Sequence, residues 1–151
     1  MSDGSKPKLV GINHVAIEVG DIEEALAWYG QLFEFALRGK GERNAFIDMG
    51  DQFINLTLVP GLKPQGVERR HIGFVVDDRS SMVERAKAIG ARMVEGPFLD
   101  FLDPWGNRLE IIEYSNIQFT KAPQVLRGMG LALDKNDQAR RELADKGMAE
   151  G

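Results

Sequence analysis

The segment His14-Val-Ala-Ile-Glu-Val-Gly-Asp21 returns as His71-Ile-Gly-Phe-Val-Val-Asp-Asp78, with histidine first, aspartate last and an apolar strand pattern between. A repeated supersecondary unit settles the architecture before single residues are argued, because each copy must bury the same kind of face. The two histidines lie 57 positions apart, and so do the two aspartates. Residues 46–56 and 101–111 also align, at an offset of 55, so a two-residue deletion separates the offsets. That alignment makes Asn55 and Glu110 equivalent, as His14 and His71 are.

Each copy reads as a βαβββ unit. In the first, 10–19 alternates as a strand, and Asp21 caps a helix whose Ile22, Ala25, Leu26, Tyr29, Leu32 and Phe33 recur at three and four. Trp28 is expected to flank that stripe. Strands at 44–49 and 53–59 meet at the turn residues Gly50-Asp51, and a further strand falls around 37–41. Pro60-Gly61 opens a loop to about 67 that divides the halves. In the second half, 71–76 is a strand and Asp78 caps a helix carrying Met82, Val83, Ala86 and Ile89 that ends near Gly90. Strands at 91–94, 98–102 and 108–114 complete it. The expectation is an α+β fold with one domain over 9–114, built from modules of about 9–60 and 70–114. A flexible N-terminus covers 1–8. The extension 115–151 matches neither module, and the charged helical composition of 135–146 predicts a surface-packed tail.

A chain of 151 residues can stabilise one core without staples, and it has no cysteine to make any. Disulfide frameworks and thiol nucleophiles are therefore excluded, and a cytoplasmic location is expected. The formal charge of −4 offers no basic face for nucleic acid, and no stretch approaches membrane-spanning length. No phosphate loop, dinucleotide fingerprint or nucleophile elbow is present.

Alternation puts His14, Ala16 and Glu18 on one strand face and the apolar Val15, Ile17 and Val19 on the other. The apolar face should meet the helices, leaving His14 and, in the second copy, His71 on the opposite face. On the last strand Glu110 shares a face with Ile112 and Tyr114, and the repeat register selects Glu110 over Glu113. His14, His71 and Glu110 then form a set of two imidazoles and a carboxylate, which suits Fe, Mn, Zn or Ni and leaves coordination positions open. A lone strand histidine is usually structural, but two in register with an aligned glutamate reverse that expectation. Asn55 is a poor ligand for such a metal and is expected, with Thr57 and Tyr114, to touch substrate. Glu18 is the candidate general base. The run from Asp103 to Asn107, Asp-Pro-Trp-Gly-Asn, is turn chemistry and reads as structural.

These residues resemble the vicinal oxygen chelate superfamily of glyoxalase I, methylmalonyl-CoA epimerase, extradiol dioxygenases, fosfomycin-resistance transferases and bleomycin-binding proteins. The resemblance spans about 9–114 and rests on Asn13-His14-Val-Ala-Ile, Asp21 with Ala27-Trp28-Tyr29, His71-Ile-Gly-Phe-Val-Val-Asp, and Asp103-Pro-Trp-Gly-Asn-Arg-Leu-Glu110. It implies two modules forming a curved mixed sheet around a pocket, a homodimer, and metal ligands at His14, His71 and Glu110. The fourth position of glyoxalase and epimerase relatives, acidic or Gln, falls on Asn55. Extradiol relatives use a further histidine that this chain lacks. Fosfomycin transferases carry Thr where Ala16 stands and a Ser/Gly-rich loop that is missing between Gly96 and Phe101. The resemblance implies an enzyme of glyoxalase or dioxygenase type acting on a small substrate that chelates through adjacent oxygens. The alternatives are a metal-independent protein sequestering a small toxic compound and a thiol transferase of fosfomycin-resistance type.

Overall fold

A computed structural model of the chain describes residues 6–8, 12–66 and 69–150. The expectations for 1–5 and for the strand before Ile12 lie outside the described residues. The first module runs β1 His14–Val19, α1 Ile22–Leu32, β2 Leu37–Lys40, β3 Asn44–Asp48 and β4 Phe53–Leu58. The second runs β5 Ile72–Val76, α2 Met82–Ala88, β6 Arg92–Val94, β7 Asp100–Leu102 and β8 Arg108–Glu113. Both give a four-stranded mixed sheet with the same topology, β1-β4-β3-β2 and β5-β8-β7-β6, the first strand parallel to the last. The duplication is therefore real in three dimensions. Ladder pairing sets Ala16 beside Asn55 and Gly73 beside Glu110, which confirms that the aligned positions are equivalent.

Asp21 caps α1 as expected, its carboxylate accepting from the Glu24 amide at 2.7 Å. Ile22, Ala25, Tyr29 and Leu32 are buried along one stripe. Trp28 does not flank that stripe; it is in the core, its ring 6.2 Å from Phe101 of the second module. Phe33 likewise meets Phe74 edge-on at 5.9 Å. The apolar backs of the two sheets and both helices thus share one core, with Ile17, Val19, Ala45, Ile47, Ile54, Leu56, Leu109 and Ile111 in it. Sequence periodicity shows which face of a helix is apolar but not how far a large ring at its margin reaches.

Three further boundaries differ from expectation. Asp78 does not cap α2: its carboxylate accepts from the Ser80 amide at 2.8 Å, closing a tight turn, and the helix begins beyond Ser81. β7 starts at Asp100 rather than 98, because Gly96 and Pro97 bend the chain and leave Phe98 exposed. β8 stops at Glu113, and Tyr114 opens a 3-10 turn instead of ending the strand.

The extension packs as a tail with two helices, α3 Pro123–Gly128 and α4 Asp137–Asp145. Asn136 caps α4, accepting from the Ala139 amide at 2.8 Å, and Ala139 and Leu143 are buried. Lys135 is buried, its ammonium 3.4 Å from the Tyr114 ring centroid and donating to the carbonyls of Tyr114 and Phe119. Lys121 pairs with Asp51, and Val125 and Met129 lie against Gly50. The tail therefore leaves the second module and fastens onto the β3–β4 turn of the first. Among the described residues no helix is long and apolar enough to cross a membrane.

Candidate metal centre

His71 sits just before β5, and Glu110 lies on β8, the strand paired with it. The His71 Nε2 is 3.3 Å from Glu110 Oε2. His71 Nδ1 is 2.7 Å from the Arg69 backbone carbonyl, which can only accept, so Nδ1 carries a proton and the ring is held with Nε2 directed at the carboxylate. Two electron-rich atoms at that separation repel unless a cation lies between them, whether a proton or a metal. The Gly73 position beside them is tight: a Cβ there would come within 3.0 Å of the Ile112 side chain.

His14 repeats this arrangement in the first module. Its Nδ1 donates to Asn13 Oδ1 at 2.7 Å, leaving Nε2 free, and its ring stacks on Phe53 at 4.6 Å between centroids. An oxygen acceptor fixing Nδ1–H is the support that metal-ligating imidazoles generally have. The donor set thus fits a divalent metal: two oriented imidazoles and one half-buried carboxylate.

One chain does not bring all three together. Among the described residues no group of three His, Asp or Glu side chains is close enough to hold a metal ion, so His71 and Glu110 form a pair and His14 stands apart. His14 and Phe53 belong to a face that also carries Asn55, Thr57, Asn44, Phe46 and Asp48, by the alternation of β3 and β4 against buried Ala45, Ile47, Ile54 and Leu56. Asn55 Oδ1 accepts from Asn44 Nδ2 at 2.8 Å, so the oxygen that could have bound metal is engaged and the amide nitrogen remains to donate. Thr57, half-buried, is the ladder partner of both Glu18 and Asn44. Glu18 is exposed beyond His14, without the burial that would desolvate its carboxylate. Tyr114 is buried under the tail, its hydroxyl accepting from the Lys121 amide at 3.2 Å. Its face in the repeat was legible; the 3-10 turn that removes it from the strand was not.

Asp103, read as a turn residue, does more than shape its turn. Its buried carboxylate accepts from the Trp105 and Asn107 amides, both at 2.9 Å, from Asn107 Nδ2 at 2.7 Å and from the Tyr29 hydroxyl at 2.8 Å. Asn107 Nδ2 also donates to the Glu18 carbonyl at 2.9 Å. The turn before the Glu110 strand is thereby tied to the strand that carries His14. Sequence reasoning missed Arg38, whose guanidinium carbon lies 4.7 Å from the Phe53 ring centroid.

Known proteins resemble the chain in sequence and in fold. The chain is 26% identical over 114 residues to metallothiol transferase FosB from Shouchella clausii, covering 67% of this chain and 78% of that one. It superposes with TM-score 0.58 and 20% identity on a variant of FosX, a fosfomycin resistance protein of Listeria monocytogenes, crystallised with Mn(II) and 1S,2S-dihydroxypropylphosphonic acid, over 69% of this chain and 92% of that one. A putative glyoxalase family protein from Bacillus anthracis superposes with TM-score 0.56 at 25% identity, over 72% and 98%. A family model described as Glyoxalase/Bleomycin resistance protein/Dioxygenase superfamily matches residues 11–111. With that match spanning both modules, the chain belongs to the glyoxalase/bleomycin resistance/dioxygenase superfamily.

Proposed function

We propose that the chain is a divalent-metal-dependent enzyme acting on a small substrate that chelates through adjacent oxygens. Its metal would be held by His14, His71 and Glu110 in a homodimer. The observation that carries this reading is the shared orientation of the two histidines, each with Nδ1–H fixed on an oxygen and Nε2 at the other end of the ring, that of His71 directed at Glu110. Among the described residues one chain supplies only the His71–Glu110 pair, so the third ligand would come from His14 of a second copy of the chain. The bound metal would supply Lewis acidity, polarising the substrate's oxygens in a site with open coordination positions. Around it the chain orients the substrate: Asn55 donates from its amide nitrogen, Thr57 presents a hydroxyl, and Phe46 and Phe53 wall off water from an apolar body. The tail occupies Tyr114, so it takes no part in this reading. The enzyme works in the cytoplasm, consistent with a cysteine-free chain.

A thiol transferase of the fosfomycin-resistance type is a specific form of this reading, favoured by likeness to FosB. The missing Ser/Gly-rich loop and Ala16 in place of Thr favour a substrate other than fosfomycin itself.

Metal content of untagged protein tests the centre. About one divalent ion per chain is expected, with loss in His14→Ala, His71→Ala and Glu110→Gln at unchanged far-ultraviolet dichroism. A mixed dimer tests where the ligands come from. When His14→Ala chains pair with Glu110→Gln chains, a shared site predicts one intact centre per dimer, whereas ligands drawn from one chain predict none. Wild-type protein that takes up no divalent metal would leave sequestration without metal as the better account, and full metal retention in the three single variants would place the ion away from these residues. Turnover assays with fosfomycin plus thiols, methylglyoxal thiol adducts and catechols then separate the reactions.

A further inference from the structure

His14, Phe53 and Arg38 form one assembly on the face of the first sheet. The imidazole lies against Phe53 nearly parallel, at an interplanar angle of 11°, and the Arg38 guanidinium also rests over that ring. Phe46 supports Phe53 edge-on at 5.8 Å. Arg38 lies at an irregularity in the β2–β3 ladder, where the register shifts between Leu37 and Gly39.

The neighbouring cations of β2 and β8 are already matched. Lys40 pairs with Glu23, and Arg108 pairs with Asp100 at 2.7 Å. Arg38 makes no ion pair or hydrogen bond among the described residues, although Asp48 stands on the same face at the hairpin end. Its planar donor fork is thus held in place by an aromatic ring while its N–H groups stay unspent, and such a fork matches a carboxylate or phosphonate edge. The charge of the proposed centre points the same way. A divalent metal with two neutral imidazoles and one carboxylate keeps a net positive charge, so it does not repel a second anionic group on the ligand.

We propose that Arg38 is a specificity residue that binds an oxyanion, carboxylate or phosphonate, on the end of the substrate remote from the chelating oxygens. The proposal deepens the metal reading and rests on it only for the position of the other end. The ligand class is then a small molecule with adjacent oxygens at one end, a short apolar body over Phe46 and Phe53, and an anionic group at the other.

Two measurements on the full chain test it. In the first, Zn(II)-loaded protein is titrated calorimetrically with L-lactate, which chelates only, and with L-malate, which chelates and carries a second carboxylate. A bidentate charge-assisted contact predicts that malate binds roughly tenfold more tightly, that Arg38→Met abolishes the preference without weakening lactate, and that Arg38→Lys keeps part of it. In the second, the Arg38 Nε–Hε resonance, assigned by its loss in Arg38→Lys, is followed as the protein is titrated with acetate and with methylphosphonate. A saturable shift is expected, and the tighter probe identifies the oxyanion. A malate preference that survives Arg38→Met, or a resonance unmoved by both anions, overturns the proposal. Protein that holds no divalent metal but shows the saturable shift would overturn the metal reading and uphold Arg38 as an oxyanion site.

Discussion

Replacing Asp103 by Asn tests whether one buried carboxylate ties the turn before β8 to α1 and β1. Asp103 is 5% exposed and accepts four hydrogen bonds. In the amide, Oδ1 keeps the two backbone bonds, but an NH2 group replaces the oxygen that faces both the Tyr29 hydroxyl and Asn107 Nδ2. The hydroxyl can rotate and accept. Asn107 cannot, because its own NH2 is also committed to the Glu18 carbonyl, and flipping it would set oxygen against oxygen there. Two charge-assisted bonds, each worth about 1.5–3 kcal/mol, are exchanged for one neutral bond of about 1 kcal/mol and a donor–donor contact, so a loss of about 2–4 kcal/mol is expected. Tyr29→Phe should cost less, and the two changes should couple by about 1 kcal/mol or more, since they share one oxygen. Urea unfolding at fixed protein concentration measures these values, with unchanged slopes confirming that stability alone has moved. A loss below about 0.5 kcal/mol for Asp103→Asn, or strict additivity with Tyr29→Phe, would refute the reasoning.

The same contact and the tail give further expectations. Burial, and then the Asp103 charge, hold the Tyr29 hydroxyl well above its usual pKa of 10.0. Its folded value exceeds the unfolded one, so its contribution is complete below about pH 10 and falls as pH rises further, a decline that Tyr29→Phe should lack. Lys135 behaves in the opposite sense: burial lowers its pKa from 10.5 to about 8. The unfolded chain then holds more protons between these values, so stability should rise with pH across that window in wild type and stay flat in Lys135→Met. That variant also leaves the Tyr114 and Phe119 carbonyls without their donor and should lose about 1–3 kcal/mol near neutral pH, read by urea unfolding. Gly106 has φ +86°, and a Cβ there would stand 2.1 Å from the Gln65 carbonyl oxygen. Gly106→Ala should therefore cost at least about 2 kcal/mol in the same assay and expose the 60–66 loop to proteolysis.

The duplicated phrase was sufficient to derive the βαβββ modules, the equivalence of Asn55 with Glu110, the core face of each strand and the capping of α1. All of these follow from local periodicity and turn chemistry, which act over a few residues and leave their pattern in the chain. The candidate ligands were legible for the same reason, since strand alternation and repeat register decide which face a side chain takes. Distances between modules are another matter. His71 meets Glu110 across the β5–β8 ladder of one module, but that His14 remains apart from them depends on how two sheets sit on a shared core, through Trp28, Phe33, Phe74 and Phe101, and no sequence spacing encodes that packing. The loss of Tyr114 to the tail, the engagement of the Asn55 oxygen by Asn44 and the seating of Arg38 on Phe53 are likewise tertiary outcomes. Each joins residues far apart in the chain or across a bulged ladder, where side-chain reach and competition for hydrogen bonds decide the partner. Local pattern thus determined which residues share the candidate face, and long-range packing decided how the faces of the two modules lie apart.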